Sequence, residues 1–319
     1  MKKLIAIIAL VALALMPLMA QGGSDSGSLR FGTGGDQGTY YGFGNVIAQR
    51  ISSETDTSVV AVVSAGSQDN IEMMDMGSYQ LGFVQTDVMS YAYNGTNLFA
   101  ETGAISDFST VAALYMEQVQ TVTLDPNIKT VADLKGKTVS IGSSGSGVYY
   151  NALDILGAYG ITESDIKPTY QSFGDSVDAL QDGKIDAAFV VAGAPTVAVS
   201  TLATTHQVYL VSIDQEHLDT LLSSSPYYSP YTIKADVYGT PEDCQTVAVG
   251  AVVIARDDVS EDAVYDVVST IFNDKDAISQ SHDKGRELDL AFATSITTVP
   301  YHPGSAKYFA EQGIEVPTK

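Results

Sequence analysis

Two glycine-rich segments built on one plan stand far apart in the chain: Phe31-Gly32-Thr33-Gly34-Gly35-Asp36-Gln37-Gly38-Thr39-Tyr40-Tyr41, and Ile141-Gly142-Ser143-Ser144-Gly145-Ser146-Gly147-Val148-Tyr149-Tyr150, one residue shorter. Each reads as the end of an apolar strand, a turn, and the start of a helix. Such a turn exposes backbone N–H groups at the positive end of the helix dipole, which is an anion site. The glycines, Gly34, Gly35 and Gly147 among them, permit unusual φ values and close approach of a ligand to backbone. Thr33, Ser143 and Ser146 add hydroxyl donors. Tyr40 or Tyr41, and Tyr149 or Tyr150, would wall the site with a ring that is apolar on its face and polar at its tip. Helical geometry lets only one ring of each pair face the ligand.

Other chemistries need residues that are missing. A dinucleotide fingerprint wants glycine at its sixth position, where Gln37 stands. A phosphate loop wants Gly-Lys-Ser/Thr, and no lysine follows either turn. A hydrolase elbow wants Gly-x-Ser-x-Gly, and Gly142-Ser143-Ser144-Gly145-Ser146 lacks the last glycine. The four histidines (His206, His217, His282, His302) have no ligand-like spacing and none is tied to a serine. An α/β hydrolase using Ser143 or Ser146 is the enzymatic alternative; an adhesin or sensor that keeps a receptor fold is another.

The elements that must position these turns alternate from Ser28 onward: short apolar runs such as Leu29 to Gly32, Thr57 to Val63 and Leu81 to Val84, separated by amphipathic stretches such as Tyr40 to Ser52 and Asn70 to Met76. This alternation predicts an α/β fold on largely parallel sheets. A second pair of segments repeats without a gap. Asn70 to Val84 matches Ser176 to Val190 at a constant offset of 106, aligning Ile71 with Val177, Gly77 with Gly183 and Phe83 with Phe189. In each, a helix ends at a glycine C-cap and a strand follows. Two copies of one strand, turn, helix, helix, strand plan predict two similar lobes with a ligand cleft between them. At the carboxyl ends of the strands, where such crevices lie, stand Ser67 and Asn70 after Gly66, Gln85 after Val84, and Ala192 and Gly193 after Val191.

Composition sets the frame. The chain has 319 residues, 45% hydrophobic and 17% charged, as in a globular protein of two domains or lobes. Its 16 basic against 38 acidic residues give a net charge of −22, which would repel a phosphate backbone, so nucleic acid is not an expected partner. Surface charges farther than about 8 Å are largely screened, so the acidic surface does not forbid an anionic ligand. Cys244 is the single cysteine and reads as a buried, inert thiol. Lys2 and Lys3, the apolar run from Leu4 to about Leu15, Pro17 and Ala20 have the order of an export signal over residues 1–20. Leu18-Met19-Ala20-Gln21 looks like a lipobox whose cysteine is replaced by Gln21, which suggests a lipid-anchored natural form. Without Lys2 and Lys3 the charge is −24.

Taken together, these residues resemble the solute-binding proteins of TAXI-type TRAP transporters, the glutamate-binding-like branch of the type II periplasmic binding fold. The marks are Gly32-Thr33-Gly34-Gly35 with Gly38 and Tyr40-Tyr41, Gly66-Ser67 with Asn70, Val84-Gln85-Thr86-Asp87, Asp133-Leu134-Lys135-Gly136-Lys137, Gly145-Ser146-Gly147 with Asn151, Asp182 to Phe189, Ala192-Gly193-Ala194-Pro195, Thr246 to Val249, and His302 to Phe309. Family members often carry proline after the tyrosine pair, where Gly42 stands here. The resemblance implies a monomeric receptor outside the cytoplasmic membrane. It would bind a small carboxylate (glutamate, glutamine or 2-oxoglutarate) by clamshell closure and deliver it to a sodium-driven TRAP permease, without catalysis or cofactor. It also implies one lobe of residues 28–118 plus 248–319 and another of 119–247, with chain crossings near Met116 to Thr123 and Ser229 to Val247. With no arginine in either turn, no arginine clamp on the ligand is expected.

Overall fold

The computed structural model describes residues 27–319; the export signal and the lipobox-like residues lie outside the described residues. Ten strands form one sheet: β1 (Leu29–Gly32), β2 (Val59–Val62), β3 (Leu81–Gln85), β4 (Phe108–Thr123), β5 (Thr138–Ser140), β6 (Lys167–Thr169), β7 (Ala187–Ala192), β8 (Tyr209–Leu210), β9 (Ser229–Ile233) and β10 (Cys244–Arg256). The helices that matter to the site are α1 (Thr39–Glu54), α2 (Ser67–Asp75), α3 (Thr86–Asn94), α4 (Gly147–Ala158) and α5 (Phe173–Gln181).

The main path of the sheet runs β2-β1-β3-β10-β4-β7-β5-β6. Its two ends mirror each other: β1 pairs in parallel with β2 and β3, and β5 pairs in parallel with β6 and β7. The duplicated plan read in the sequence is therefore present as β1-α1-β2-α2-β3 and β5-α4-β6-α5-β7. Gly77 and Gly183, just past the ends of α2 and α5, have φ of 77° and 67°, the left-handed conformation that a helix C-cap glycine supplies without a Cβ penalty. Phe83 and Phe189 both lie fully buried in their strands.

Joining the halves are two long antiparallel strands, and here the sheet departs from a purely parallel arrangement. Within β10, Ala251 to Ala255 pairs with β3, whereas Cys244 to Ala248 pairs with β9. Within β4, Gln118 to Thr123 pairs with β7, and Phe108 to Gln118 pairs with β10. Met116 opposes Gly250 where the two strands pass from one lobe to the other, and register shifts follow at Ala251/Val252 and Val253/Ile254. Bulges of this kind bend and twist a strand pair, which suits a joint between lobes.

Each lobe has its own core. Phe31, Phe43, Phe83, Val252, Ile254, Val267 and Phe309 belong to one continuous cluster. In the other lobe, Ala187, Phe189 and Val191 pack into one cluster, while Ala188, Val190 and Ala192 pack into another. Alternate residues of β7 thus serve opposite faces, as the two-residue period of a strand demands, and helices cover both. Phe83 stacks on Phe31 at 4.9 Å and on Tyr40 at 4.7 Å between ring centroids. Phe83→Ala should accordingly lower the unfolding free energy by about 3–5 kcal/mol, measurable by urea denaturation; a loss below about 1 kcal/mol would mean that this aromatic stack does not support the lobe. Cys244 is buried, and burial pushes its thiol up to about 11.

Candidate functional site

Three helix starts converge between the lobes. Gly38, Thr39 and Tyr40 open α1, Gly66 and Ser67 open α2, and Ser146, Gly147 and Val148 open α4; all of them line a single cavity of about 50 Å3, well under the roughly 300 Å3 at which ordinary ligand pockets begin. Gly34, Gly35, Ala65, Gln85, Glu117, Phe173, Val191 and Ala192 complete the wall. The first N–H groups of a helix have no partner within it, so three sets of donors are presented to one space. No lysine, arginine or histidine is among the lining residues.

The lobes are closed on each other around this cavity. Asp69 N–H donates to Gly145 C=O at 3.0 Å, Ala198 N–H to Gln37 C=O at 3.2 Å, and the Thr39 hydroxyl to Gly193 C=O at 2.9 Å. Gly147 lies so close to β3 that a Cβ there would overlap Gln85 Oε1 and approach Ser67 Oγ at 3.0 Å. Beneath the cavity, Gln85 Nε2 donates to Asn151 Oδ1 at 3.0 Å, and Asn151 Nδ2 reaches Asp87 Oδ2 at 2.8 Å and the Tyr228 hydroxyl at 2.9 Å. Tyr228 in turn donates to Asp154 at 2.9 Å. Gln85 and Asp87 come from the first lobe, and Asn151, Asp154 and Tyr228 from the second. Burial pushes the Asp87 carboxyl up to about 6, although the Val88 N–H and Asn151 hydrogen bonds oppose this.

Of the residues singled out in the sequence, Gly34, Gly35, Tyr40, Ser67, Gln85, Ser146, Gly147 and Ala192 line the cavity. The others are near it but occupied elsewhere. The Thr33 hydroxyl donates to Val62 C=O at 2.7 Å, and Asn70 Nδ2 spans Thr33 C=O and Phe83 C=O, both at 2.7 Å, fastening the first turn to β3. Ser143 supports the second turn through its carbonyl, which accepts from Ser146 N–H at 3.1 Å. Asn151 is the interlobe bracket, and Gly193 is the acceptor for Thr39.

Tyr149 does not line the cavity: its hydroxyl donates to Glu163 at 3.0 Å and its ring packs on Tyr150 and Tyr170. The reason is helical register counted from the cap. Gly38 and Ser146 are the N-caps, so Tyr40 corresponds to Val148, the second helical residue of each copy, and the tyrosine pair of the shorter copy falls one position later. Tyr40→Phe should therefore weaken ligand binding about tenfold, the worth of one hydrogen bond in a closed site, whereas Tyr149→Ala should leave it within twofold. Calorimetric titration of both variants checks this, and the opposite order would place the wall of the site on the second lobe.

Glu117 was not legible as a site residue, yet it is the one carboxylate in the wall. It is the sole charged residue in the sixteen of β4, and that isolation is the signal that could have marked it. It is 2% exposed, and Glu117 Oε2, Gln85 Oε1, Tyr40 Oη and Ser146 Oγ make no hydrogen bond among the described residues. Burial pushes the Glu117 carboxyl up to about 8.

Two lobes, each built on three parallel strands flanked by helices, joined by a pair of long antiparallel strands and closed over a cavity at the helix starts, define the two-lobed fold of ligand-binding proteins. The chain belongs to the NMT1-like family, whose profile matches residues 31–313. Among solved structures it is similar in fold to the ligand-binding component of an ABC-type import system from Staphylococcus aureus with zinc bound, at 11% identity and a TM-score of 0.52 over 91% of this chain and 94% of that one. A protein of Bordetella bronchiseptica RB50 matches at 16% identity and 0.54, over 89% and 88%. The GluR0 ligand-binding core in complex with L-glutamate matches at 11% and 0.50, over 82% and 99%.

Proposed function

We propose that this protein is an extracytoplasmic solute receptor that closes on one small carboxylate and hands it to a membrane permease without transforming it. The observation that carries this reading is the convergence, on one interlobe cavity whose lining includes no basic side chain, of three helix starts and four polar atoms that make no hydrogen bond among the described residues. Backbone amides and hydroxyls can neutralise a carboxylate at close range, and clamshell closure adds the donors of the second lobe to those of the first. Only the closed form offers both sets, so a ligand that uses both favours closure. A serine nucleophile finds no support: no histidine is among the lining residues with Ser67 and Ser146, so neither has a histidine base in the cavity.

The ligand class we assign is that of glutamate, glutamine and 2-oxoglutarate, and the permease a sodium-driven TRAP transporter, both resting on the sequence marks described above. The GluR0 ligand-binding core, solved in complex with L-glutamate, has a similar fold, which supports this class. Thermal-shift screening against amino acids, dicarboxylates, sulfonates and sugars tests the ligand class, because a ligand at 100 times its Kd adds about 2.7 kcal/mol to stability. A shift with sugars or sulfonates and none with carboxylates would overturn it. Uptake by vesicles carrying the permease, driven by a sodium gradient and not by ATP, would support the TRAP assignment; the reverse would replace it with an ATP-driven importer.

A further inference from the structure

Resting on the carboxylate-receptor reading of the cavity, we propose that Glu117 meets the ligand as a neutral carboxylic acid, donating its proton to a bound carboxylate oxygen, so that the receptor takes up a proton with the anion it closes on. Three observations lead there. Glu117 stands on β4 at the joint between the lobes, next to Met116, and its side chain lines the same cavity as the helix starts. Its Oε2 is buried without a hydrogen-bond partner among the described residues, as are the Tyr40 and Ser146 hydroxyls that share the cavity. The wall contains no basic group that could hold both Glu117 and a ligand carboxylate as anions side by side.

Two like charges in a site closed from water cannot both persist, and the one with the weaker solvation takes a proton. The groups around Glu117 leave that role to it. From α1, the Tyr40 hydroxyl lies nearby and can donate to it. From β4 itself, Tyr115 is fully buried and held in its neutral form by burial first and by Glu117 second. From the start of α3, Asp87 adds a like charge. The remaining charged neighbour, Lys284 of the segment Asp283–Glu287, favours ionised Glu117 but is committed to an ion pair with Glu287 and lies over the Tyr115 ring at 5.4 Å. Burial is the largest influence on Glu117, and in the closed form it favours the protonated carboxyl. The same arrangement, a carboxylic acid kept neutral by an apolar site so that it can donate, serves oxyanion binding in enzymes.

The sign of the linkage follows. A bound anion raises the proton affinity of Glu117, so binding takes up protons once the pH exceeds the free-state value, and affinity falls as pH rises. Asp87 exchanges its proton near pH 6, so measurements from pH 7.5 to 9 isolate Glu117. We expect the affinity for 2-oxoglutarate, a probe with no amine of its own to titrate, to fall about tenfold between pH 7.5 and pH 9, with proton uptake approaching one at pH 9. Titration calorimetry in two buffers of different ionisation heat reads the uptake directly. Glu117→Gln should abolish the proton uptake and flatten the pH profile, with affinity level from pH 7.5 to pH 9, because the amide is a neutral donor of similar shape at every pH.

Each other outcome overturns the inference. Affinity and heat independent of pH and buffer would leave the receptor reading standing and remove the proton. Binding of L-glutamate that strengthens with pH and is lost at every pH in Glu117→Gln would make Glu117 an anion paired with the ligand's ammonium. Failure of 2-oxoglutarate, L-glutamate and L-glutamine to bind at any pH would sink the carboxylate reading and the inference together. Thermal unfolding of the variant without ligand verifies that it is folded.

Discussion

Gly147→Val is expected to hold the two lobes apart and raise the Kd for a carboxylate ligand at least a hundredfold, while leaving each lobe folded. Gly147 is the first residue of α4, and a Cβ there would overlap Gln85 Oε1 and crowd Ser67 Oγ across the interlobe cavity. Gln85 cannot simply swing aside, because its amide is held by Asn151 and it is itself part of the wall. Overpacking of a tight contact costs about 1–3 kcal/mol, and the displaced amide adds the loss of a buried hydrogen bond. The cost falls on the closed form alone, since the two surfaces separate when the lobes open. Small-angle scattering should show a protein that stays extended with saturating L-glutamate or 2-oxoglutarate, and its circular dichroism should match the wild type. Affinity within threefold of the wild type would mean that closure does not bring α4 onto β3.

Asn151→Ala should weaken binding by about 10- to 100-fold with a smaller effect on unfolding. The side chain makes three hydrogen bonds, to Gln85, Asp87 and Tyr228, and two of these cross from one lobe to the other. Removing it leaves Gln85 Nε2 and Asp87 Oδ2 buried without that partner, and an unmet buried polar group costs about 1–3 kcal/mol, more when charged. The lost partner also removes one of the hydrogen bonds that stabilise ionised Asp87, so Asp87 should titrate at higher pH in the variant. Affinity measured at pH 5, where Asp87 is protonated, should recover part of the loss seen at pH 8. An equal loss at both pH values would show that Asn151 acts by packing and not through Asp87.

Much of this arrangement was open to sequence reasoning because it is local. The ungapped match of Asn70 to Val84 with Ser176 to Val190 preserves a helix, a positive-φ glycine and a buried strand in both lobes, since cap, period and burial are properties of neighbouring residues. Gly34, Gly35, Tyr40, Ser67, Gln85, Ser146, Gly147 and Ala192 stand at turns and strand ends in the sequence and line the cavity in the fold. Asn70 and Thr33 stand at the turns too, where they fasten the backbone. Tyr149 lies off the cavity because α4 is capped at Ser146, which puts its tyrosine pair one residue later than in α1, and one residue turns a helix by about 100°.

By itself the amino-acid sequence determined two similar lobes, the glycine-rich turns that start their helices, and the strand ends that carry Gln85 and Ala192, all through periodicity and capping within short stretches of chain. Only the tertiary structure decided that the start of α2 meets those of α1 and α4 in one cavity, that Asn151 brackets the lobes, and that Glu117 stands in the wall with its Oε2 making no hydrogen bond among the described residues. These depend on residues far apart in sequence meeting across the joint of β4 and β10. Whether a polar side chain there is satisfied, and hence whether its charge survives, is set by neighbours that no local pattern encodes.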